Sequence, residues 1–432
     1  MTGLASLSAM HPSTDGPSRP ARIAAGLLWA GAILVGLVLG YRRFVVALAT
    51  DQPDFLTYFM PAAEALARGE LPWSVPGYLY TPVIALILLP LVGSAQAAQT
   101  WTLLLVAAAV AACPLAVLGC ARQLPSWKQA LLTAFAYLTL LYSWTATLDL
   151  FFGTPNMLVV LALAVSAFAV SRGRGLTVGL GLGLAALLKS WPAAFVIWLV
   201  RRPLRWRGRE WAGLGSSAVV AIALSWWVGG WKAIVLMTAA PFGATDQPVR
   251  AFSVWGVPKL LFSDTQGLGV PLVVSPGLRI AATALLGAWV VALLVIALRH
   301  PGDEVLSLYN VIFVVLLLLP VSHYNYQLFT LPALWWWVAD CVARPRSARS
   351  WLVTGVLCLW WVIVFRTNQF SSFDPFYLAF AAIVAAATAS VLGAAWPSLS
   401  EWRRGVPDRA AVLAPTESVD SNRTHDAGAD AR

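Results

Sequence analysis

Apolar residues occur in long runs along most of the chain, and short polar segments separate these runs. A helix that spans a membrane needs about 17–25 mostly apolar residues. The pattern predicts spanning helices near residues 23–41, 97–121, 130–148, 211–229, 280–298, 305–321, 325–342, 351–366 and 376–396. The apolar segments near 81–93, 155–171 and 176–200 are ambiguous. The chain is therefore predicted to be an all-α polytopic membrane protein.

The basic residues decide how the ambiguous segments are threaded. If 81–93 crosses the membrane and 176–200 is one straight helix, two basic loops fall on the side of Asp54, against the positive-inside rule. The conflict disappears if 81–93 dips into the outer face and 176–200 forms two short helices that meet near Lys189 and Pro192. Most of the 29 Lys and Arg then face the cytoplasm. This threading predicts about twelve membrane segments.

One transmembrane domain is predicted over residues 23–400. A polar tail precedes it at 1–22, and a polar, disordered tail follows at 401–432. Both tails are predicted to be cytoplasmic, and long outer loops are predicted at about 42–96 and 230–278.

The composition excludes a soluble protein, because 59% of the residues are hydrophobic and only 11% are charged. The net charge of +10 comes from short loops, where topology explains it, so nucleic acid is not an expected partner.

The cysteines lie in apolar runs and are expected to be free core residues: Cys113, Cys120, Cys341 and Cys358. Motifs for a metal or a nucleotide are missing from the sequence, so we expect no cofactor.

Unusual polar residues gather on the predicted outer face. They are Asp51, Asp54, Asp149, Asn156, Lys189, Asp246, Arg250, His323, Tyr324, Tyr326, Arg366 and Asp374. Ionisable residues within membrane segments commonly line a cavity or a substrate path. The distribution therefore predicts a cavity that opens to the outer side.

Asp54 opens the segment Asp54-Phe55-Leu56-Thr57-Tyr58, for which the pattern predicts a short amphipathic helix. A partly buried carboxylate at the membrane boundary can accept a proton from a substrate hydroxyl. The alternative is a helix N-cap, a common place for Asp.

Several short motifs follow Asp54 in a recognisable order. They are Ala62-Ala63-Glu64-Ala65-Leu66-Ala67-Arg68-Gly69, Tyr80-Thr81-Pro82, Gly153-Thr154-Pro155-Asn156, the run from Gly181 to Lys189-Ser190-Trp191-Pro192, and Ser322-His323-Tyr324. In order and spacing they resemble glycosyltransferase family 87, a group of GT-C type membrane enzymes. The resemblance covers about residues 50–335. It departs from the family at Thr154, which replaces a Gln, at Thr81, which replaces a Pro, and around 246–248, where an Asn-Gln-Ser motif is missing.

The resemblance implies a GT-C type helix bundle in the plasma membrane, with amphipathic helices and the active site on the outer face. Members transfer a sugar from a polyprenyl-phosphate donor to a glycan or glycolipid. The implied partners are therefore a polyprenyl-phosphate sugar, membrane lipid, and a glycolipid or lipid-linked glycan of the cell envelope. Mannose is the expected sugar, and arabinofuranose is the alternative.

The resemblance also implies residue roles. Asp54 would be the general base for an acceptor hydroxyl that attacks the anomeric carbon with inversion. Lys189 would stabilise the phosphate leaving group, although a lysine that snorkels or pairs with Asp149 is the alternative. Further substrate-binding candidates are His323, Tyr58, Tyr80, Asn156, Tyr324, Asp149 and Arg250.

Plainer roles remain open for several of these residues. His323 and its neighbouring tyrosines can anchor the chain at the membrane interface. Trp73, Tyr78 and Tyr80 can stack on sugar rings or serve as interface anchors. Arg250 can form a solvated pair with Asp246.

Two other functional classes compete with an enzyme. A transporter or flippase of about twelve helices would show repeated halves and polar residues at the bilayer midplane. The sequence shows no clear repeat, and its ionisable residues gather towards one face. A noncatalytic scaffold would leave that one-sided cluster unexplained.

Overall fold

The computed structural model describes residues 18–201, 207–243, 251–264, 271–300, 302–366 and 374–403. Within these ranges the chain forms helices and connecting turns without a β-strand. The α-helices in chain order are α1 (Arg19–Leu48), α2 (Met60–Ala67), α3 (Pro82–Leu88), α4 (Ala97–Cys120), α5 (Ser126–Leu141), α6 (Trp144–Phe152), α7 (Asn156–Ser171), α8 (Gly175–Leu188), α9 (Gly208–Gly243), α10 (Gly256–Phe262), α11 (Pro276–Arg299), α12 (Glu304–Leu318), α13 (Leu331–Ala343), α14 (Ala348–Arg366) and α15 (Asp374–Arg403).

Six helices in the described part of the chain are long and apolar enough to cross a membrane. They are Arg19–Leu48, Ala97–Cys120, Gly208–Ala239, Pro276–Arg299, Ala348–Arg366 and Phe376–Trp396. A seventh span results if α5 and α6, which meet at an angle of 58°, are taken together. The predicted all-α polytopic membrane fold is confirmed.

Two predicted features of the short apolar segments are confirmed. The segment after Thr81 forms only α3 and a 3₁₀ turn that ends at Leu91, too short to cross. The segment 176–200 is broken, because α8 ends at Leu188, Lys189 is extended, and a 3₁₀ helix begins at Trp191. Pro192 lies in the first turn of that helix, where a missing N–H is tolerated.

Three predicted spans differ from the structure. The helix expected over 130–148 is broken, because the Ser143 hydroxyl accepts a hydrogen bond from the Ala146 amide (3.0 Å) and so starts a new helix. The helix expected over 305–321 ends at Leu318, because Pro320 favours extended backbone at Leu319. The helix expected over 325–342 begins with a 3₁₀ segment, Tyr324–Thr330.

The longest helices also extend beyond their predicted limits. α1 continues to Leu48, past the start expected for the first outer loop. α9 bends at Gly229 and Gly230, where its span was predicted to end, and then continues to Gly243.

Three short helices each have one end at the same cavity. α7, α8 and α12 have 16, 14 and 15 residues, which gives lengths of about 21–24 Å, against about 30 Å for a hydrocarbon core. α12 is buried along almost its whole length and so forms the centre of the bundle. α7 begins, and α8 and α12 end, beside the same cavity.

Close packing of α8 against α9 depends on small residues. α8 lies against α9, and a Cβ atom at Gly179 would lie 1.9 Å from the Glu210 carbonyl oxygen. A Cβ at Gly213 would likewise lie 2.2 Å from the Leu176 carbonyl oxygen. Glycine at these positions therefore allows the two backbones to touch.

All four cysteines are free. Cys113, Cys120 and Cys341 are buried, as expected for core residues. The expectation is wrong for Cys358, which is exposed on α14.

Candidate functional site

A cavity of about 360 Å³ lies where the short helices end. This volume is within the range of small-ligand sites, about 300–1,000 Å³. The lining residues are Asp54, Tyr58, Gly77, Leu79, Tyr80, Phe152, Thr154, Lys189, Ser190, Trp191, Val321, His323, Tyr324, Asn325 and Tyr326. The cavity therefore collects residues from segments that are far apart in the sequence.

Asp54 stands at the start of a π-helical turn, Phe55–Phe59, which leads into α2. Its side chain makes no capping hydrogen bond, so the N-cap interpretation is wrong. Burial raises the pKa of Asp54 to about 6, although the nearby Lys189 opposes this shift. Asp54 lines the cavity, and its raised pKa gives it a proton affinity suited to a base near neutral pH.

A left-handed glycine holds the Asp54 turn against α6. Gly153 ends α6 with φ of 72°, a conformation that favours glycine. A Cβ atom at Gly153 would lie 2.9 Å from Cβ of Phe55. The Trp101 indole also donates a hydrogen bond to the Gly153 carbonyl (2.8 Å). These contacts fix the backbone next to Asp54.

Lys189 is buried at the break after α8, where the extended backbone directs its side chain into the cavity wall. Its ammonium donates a hydrogen bond to Oδ1 of Asn156 (2.9 Å). It also lies 4.2 Å from the ring centre of Tyr326 and 5.7 Å from that of Tyr80. Since a lysine has three N–H donors, further donors remain for a ligand.

Asp149 lies behind the cavity wall and organises it. Its Oδ1 accepts hydrogen bonds from Thr154 (2.5 Å), Asn156 (2.5 Å) and Asn325 (3.1 Å). Asn156 in turn accepts from Lys189, so Asp149 reaches that ammonium through one amide rather than by a direct ion pair. The network joins α6, α7, the break after α8 and the 3₁₀ helix at Tyr324–Thr330.

His323 is half-buried at the entrance to that 3₁₀ helix, with its ring 5.5 Å from the ring of Tyr326 in an edge-to-face arrangement. Burial, and secondarily Lys189, lowers the pKa of His323 to about 4. The imidazole is therefore neutral at neutral pH. It can donate or accept a hydrogen bond but adds no positive charge.

The structure brings most predicted site residues to this cavity. Asp54, Lys189, His323, Tyr58, Tyr80 and Tyr324 line it. Asn156 and Asp149 stand behind the lining and contact it through the polar network. Arg250 and Asp246 lie outside the described residues.

Two aromatic residues for which sugar stacking and interface anchoring were both open do not line the cavity. Tyr78 is buried, and its hydroxyl donates to the Thr81 carbonyl (2.6 Å). The Trp73 indole donates to the Tyr80 carbonyl (3.1 Å). Both support the loop that carries Tyr80, the one member of that predicted group which reaches the cavity.

Several cavity residues were not among the substrate-binding candidates. Asn325 and Tyr326 belong to the polar run after His323, a cluster that the sequence indicated as able to hydrogen-bond a ligand, but they were left out of those candidates. Thr154 drew notice only as a departure from a family motif, yet it lines the cavity and bonds to Asp149. Trp191 carried no local signal, since tryptophan is common at membrane interfaces.

The arrangement combines a carboxylate, a cation and neutral hydrogen-bonding groups. In the described part of the cavity wall, Asp54 is the one acid and Lys189 the one lysine or arginine. Such a pair can accept a proton from one ligand and stabilise negative charge on another. Aromatic and apolar side chains complete the wall.

Comparison with known proteins identifies the family of the chain. The sequence model of glycosyltransferase family 87 matches residues 78–322, more than half of the chain. No curated protein matches it. The matched segment includes Tyr80 and Lys189, whereas Asp54 lies before it and His323 directly after it. The resemblance predicted from short motifs is confirmed: the chain belongs to glycosyltransferase family 87 and is a membrane glycosyltransferase.

Proposed function

We propose that this glycosyltransferase transfers a sugar, with mannose as the favoured one, from a polyprenyl-phosphate donor to a glycolipid or lipid-linked glycan of the cell envelope. The observation that carries the proposal is the pair of Asp54 and Lys189 in one membrane cavity. Asp54 accepts no hydrogen bond from the described residues, so its carboxylate is available to a ligand.

The proposed reaction assigns one step to each charged group. Asp54 takes the proton of the acceptor hydroxyl while that oxygen forms a bond to the anomeric carbon. The bond between the anomeric carbon and the phosphate oxygen breaks, and polyprenyl phosphate leaves with an additional negative charge. Lys189 stabilises that charge in a poorly hydrated site. Attack opposite the leaving group inverts the anomeric configuration.

The charge of the cavity favours a monophosphate donor. A sugar linked to polyprenyl phosphate carries one negative charge, which the Lys189 ammonium can match. A nucleotide diphosphate sugar carries two, and the described cavity wall offers no second lysine or arginine. The neutral His323 and Tyr324 can donate hydrogen bonds without adding charge.

We further propose that the cavity faces the outer side of the plasma membrane, as the positive-inside threading predicts. Thr57 is exposed beside the candidate base. A single cysteine introduced at this position, in a chain without its native cysteines, should react with an impermeant thiol reagent added to intact cells. Labelling only after the membrane is permeabilised would reverse the proposed orientation.

Transfer of arabinofuranose is the alternative within the same chemistry, because the cavity shows no feature that selects a hexose. A transporter or flippase remains the non-enzymatic alternative for the predicted helix count. The free carboxylate beside a cation at one end of the bundle favours transfer over transport.

The proposed function is tested by mass spectrometry of envelope lipids. A strain that lacks the chain should accumulate a glycolipid one sugar short of the normal product, and the missing mass identifies the sugar. The wild-type chain should restore the product, whereas a chain with Asp54→Asn should not. An unchanged glycolipid profile in the deletion strain contradicts the proposal.

The raised pKa of Asp54 predicts an acid-sensitive reaction. A base must be ionised, and burial raises this pKa to about 6, so kcat/KM should fall by about tenfold per pH unit below that value. His323, with a pKa of about 4, would titrate in a lower range. The measurement is a kcat/KM profile from pH 4.5 to pH 8, and a profile that is flat to pH 5 contradicts Asp54 as the base.

A further inference from the structure

Three arginines converge on one tyrosine where α5 ends. Arg42 and Arg43 belong to the last two turns of α1, and Arg366 is the last residue of α14. Their guanidinium carbons lie 5.8, 6.0 and 4.5 Å from the ring centre of Tyr142. Tyr142 itself follows the last residue of α5. Two helices, α1 and α14, therefore bring positive charge to the end of a third, α5.

The protein uses few of the hydrogen-bond donors in this cluster. Nε of Arg43 donates to the Leu141 carbonyl, and Nη1 of Arg366 donates to the Tyr142 carbonyl (2.7 Å). These carbonyls belong to the C-terminal end of α5, where helical partners run out. Arg42 makes no hydrogen bond with the described residues, although each guanidinium has five N–H donors. Most of the donors are therefore available to a ligand.

Among the described residues, no acid compensates these positive charges. The described carboxylates form no ion pair with these arginines, and both Arg42 and Arg366 repel Arg43. Snorkelling, in which a side chain extends its charged end to water, accounts for a single arginine at a membrane boundary. It does not account for three arginines that meet at one ring. A bound anion would relieve the repulsion between them.

The position of the cluster indicates which anion binds. α1 leads directly into the turn that carries Asp54, so the arginines lie on the cavity side of the membrane. Arg42, Arg366 and Tyr142 are exposed, and the helix surfaces next to them are exposed and apolar, at Tyr41 and Val362 for example. Such surfaces face lipid, and the polar boundary beside them contains phosphate headgroups.

We propose that Arg42, Arg43 and Arg366 form a binding site for the phosphate of an anionic phospholipid. Guanidinium groups suit this ligand, because their planar donor pairs match phosphate oxygens. A bound phosphate bridges the ends of α1 and α14 at the start of α6. The other end of α6 carries Phe152 to the cavity, so the lipid supports the helix that forms part of the site wall.

The test measures lipid binding by the full-length purified chain. Phosphatidylglycerol retained by the protein is counted by native mass spectrometry, with phosphatidylcholine as the zwitterionic comparison. Wild type should retain phosphatidylglycerol in preference, and the double variant Arg42→Gln/Arg366→Gln should bind it about tenfold more weakly.

A matched control exists on the opposite side of the membrane. Arg122 donates one hydrogen bond to a backbone carbonyl, and Arg172 lies over the ring of Phe168. The variant Arg122→Gln/Arg172→Gln makes the same charge change and should retain phosphatidylglycerol as wild type does. Equal loss in both double variants, or no loss in either, overturns the proposal.

Two further arms complete the test. Phosphatidylglycerol should raise the unfolding temperature of the wild-type chain, whereas inorganic phosphate at millimolar concentration should not. An equal rise with inorganic phosphate would contradict a lipid site.

A single variant serves if the double variant does not fold. Arg42→Gln removes no hydrogen bond within the described protein and should still weaken phosphatidylglycerol binding. Unchanged binding overturns the proposal.

Discussion

Asp54→Asn is expected to reduce kcat for sugar transfer by about 100- to 10,000-fold, the usual contribution of a general base. The carboxamide keeps the size of the side chain but cannot take the hydroxyl proton. Asp54 makes no capping hydrogen bond, so its replacement should leave the fold intact. The measurement is kcat and donor KM for the purified variant, together with its unfolding temperature.

Asp51→Asn is the matched control for this variant. Asp51 is an exposed carboxylate three residues earlier that does not line the cavity. Its neutralisation should leave kcat close to that of wild type.

Donor KM should change little in Asp54→Asn, because the base acts on the acceptor. Activity near wild type in Asp54→Asn would exclude this residue as the base.

Lys189→Gln is expected to weaken both donor binding and the chemical step. A hydrogen bond to a charged group contributes about 1.5–3 kcal/mol, so kcat/KM for the donor should fall by about 10- to 100-fold. The loss should extend to kcat, because the leaving phosphate gains charge as its bond to the sugar breaks. Lys259→Gln, an exposed lysine on α10 that does not line the cavity, should leave both parameters unchanged.

A double variant separates this role from a structural one. Lys189→Gln leaves the buried Asp149 without its nearby cation, and an uncompensated buried charge destabilises a protein. Lys189→Gln combined with Asp149→Asn removes both charges and should recover thermal stability. If Lys189 binds phosphate, this double variant stays defective towards the donor. Recovery of donor KM and kcat in the double variant would show that Lys189 only balances Asp149.

The local parts of the site were predictable from the sequence. A lysine beside a proline in an otherwise apolar run, Lys189 with Pro192, indicated a broken helix, and α8 ends there. A polar run after a long apolar segment indicated the group at His323. Asp54 stood out as an acid after the first span. Each signal lies within a few neighbouring residues, so the chain pattern alone carries it.

The contacts between distant segments were not predictable in this way. Asp149 and Asn325 are separated by 176 positions, yet they share a hydrogen bond behind the cavity. The sequence placed Asp149 among the substrate-binding residues, because nothing local distinguishes a cavity lining from the layer behind it. The convergence of Arg43 and Arg366 on Tyr142 likewise depends on how three helices end, which hydropathy does not report.

The bend between α5 and α6 shows a further limit of apolar patterns. Hydropathy predicted one helix across Ser143, because the residues on both sides are apolar. The break depends on a single serine cap and places α6 at 58° to α5. That angle brings Phe152 and Asp149 to the site, so one weak local signal determines part of its geometry.

The most direct experiment supplies the purified chain with a lipid acceptor and either a polyprenyl-phosphate sugar or a nucleotide diphosphate sugar. Released polyprenyl phosphate and the anomeric configuration of the product are measured together. We expect transfer from the polyprenyl-phosphate sugar alone, with one polyprenyl phosphate released per product and with inverted configuration. Transfer from the nucleotide sugar alone, or a product with retained configuration, would contradict a single base and a single cation acting on a lipid monophosphate.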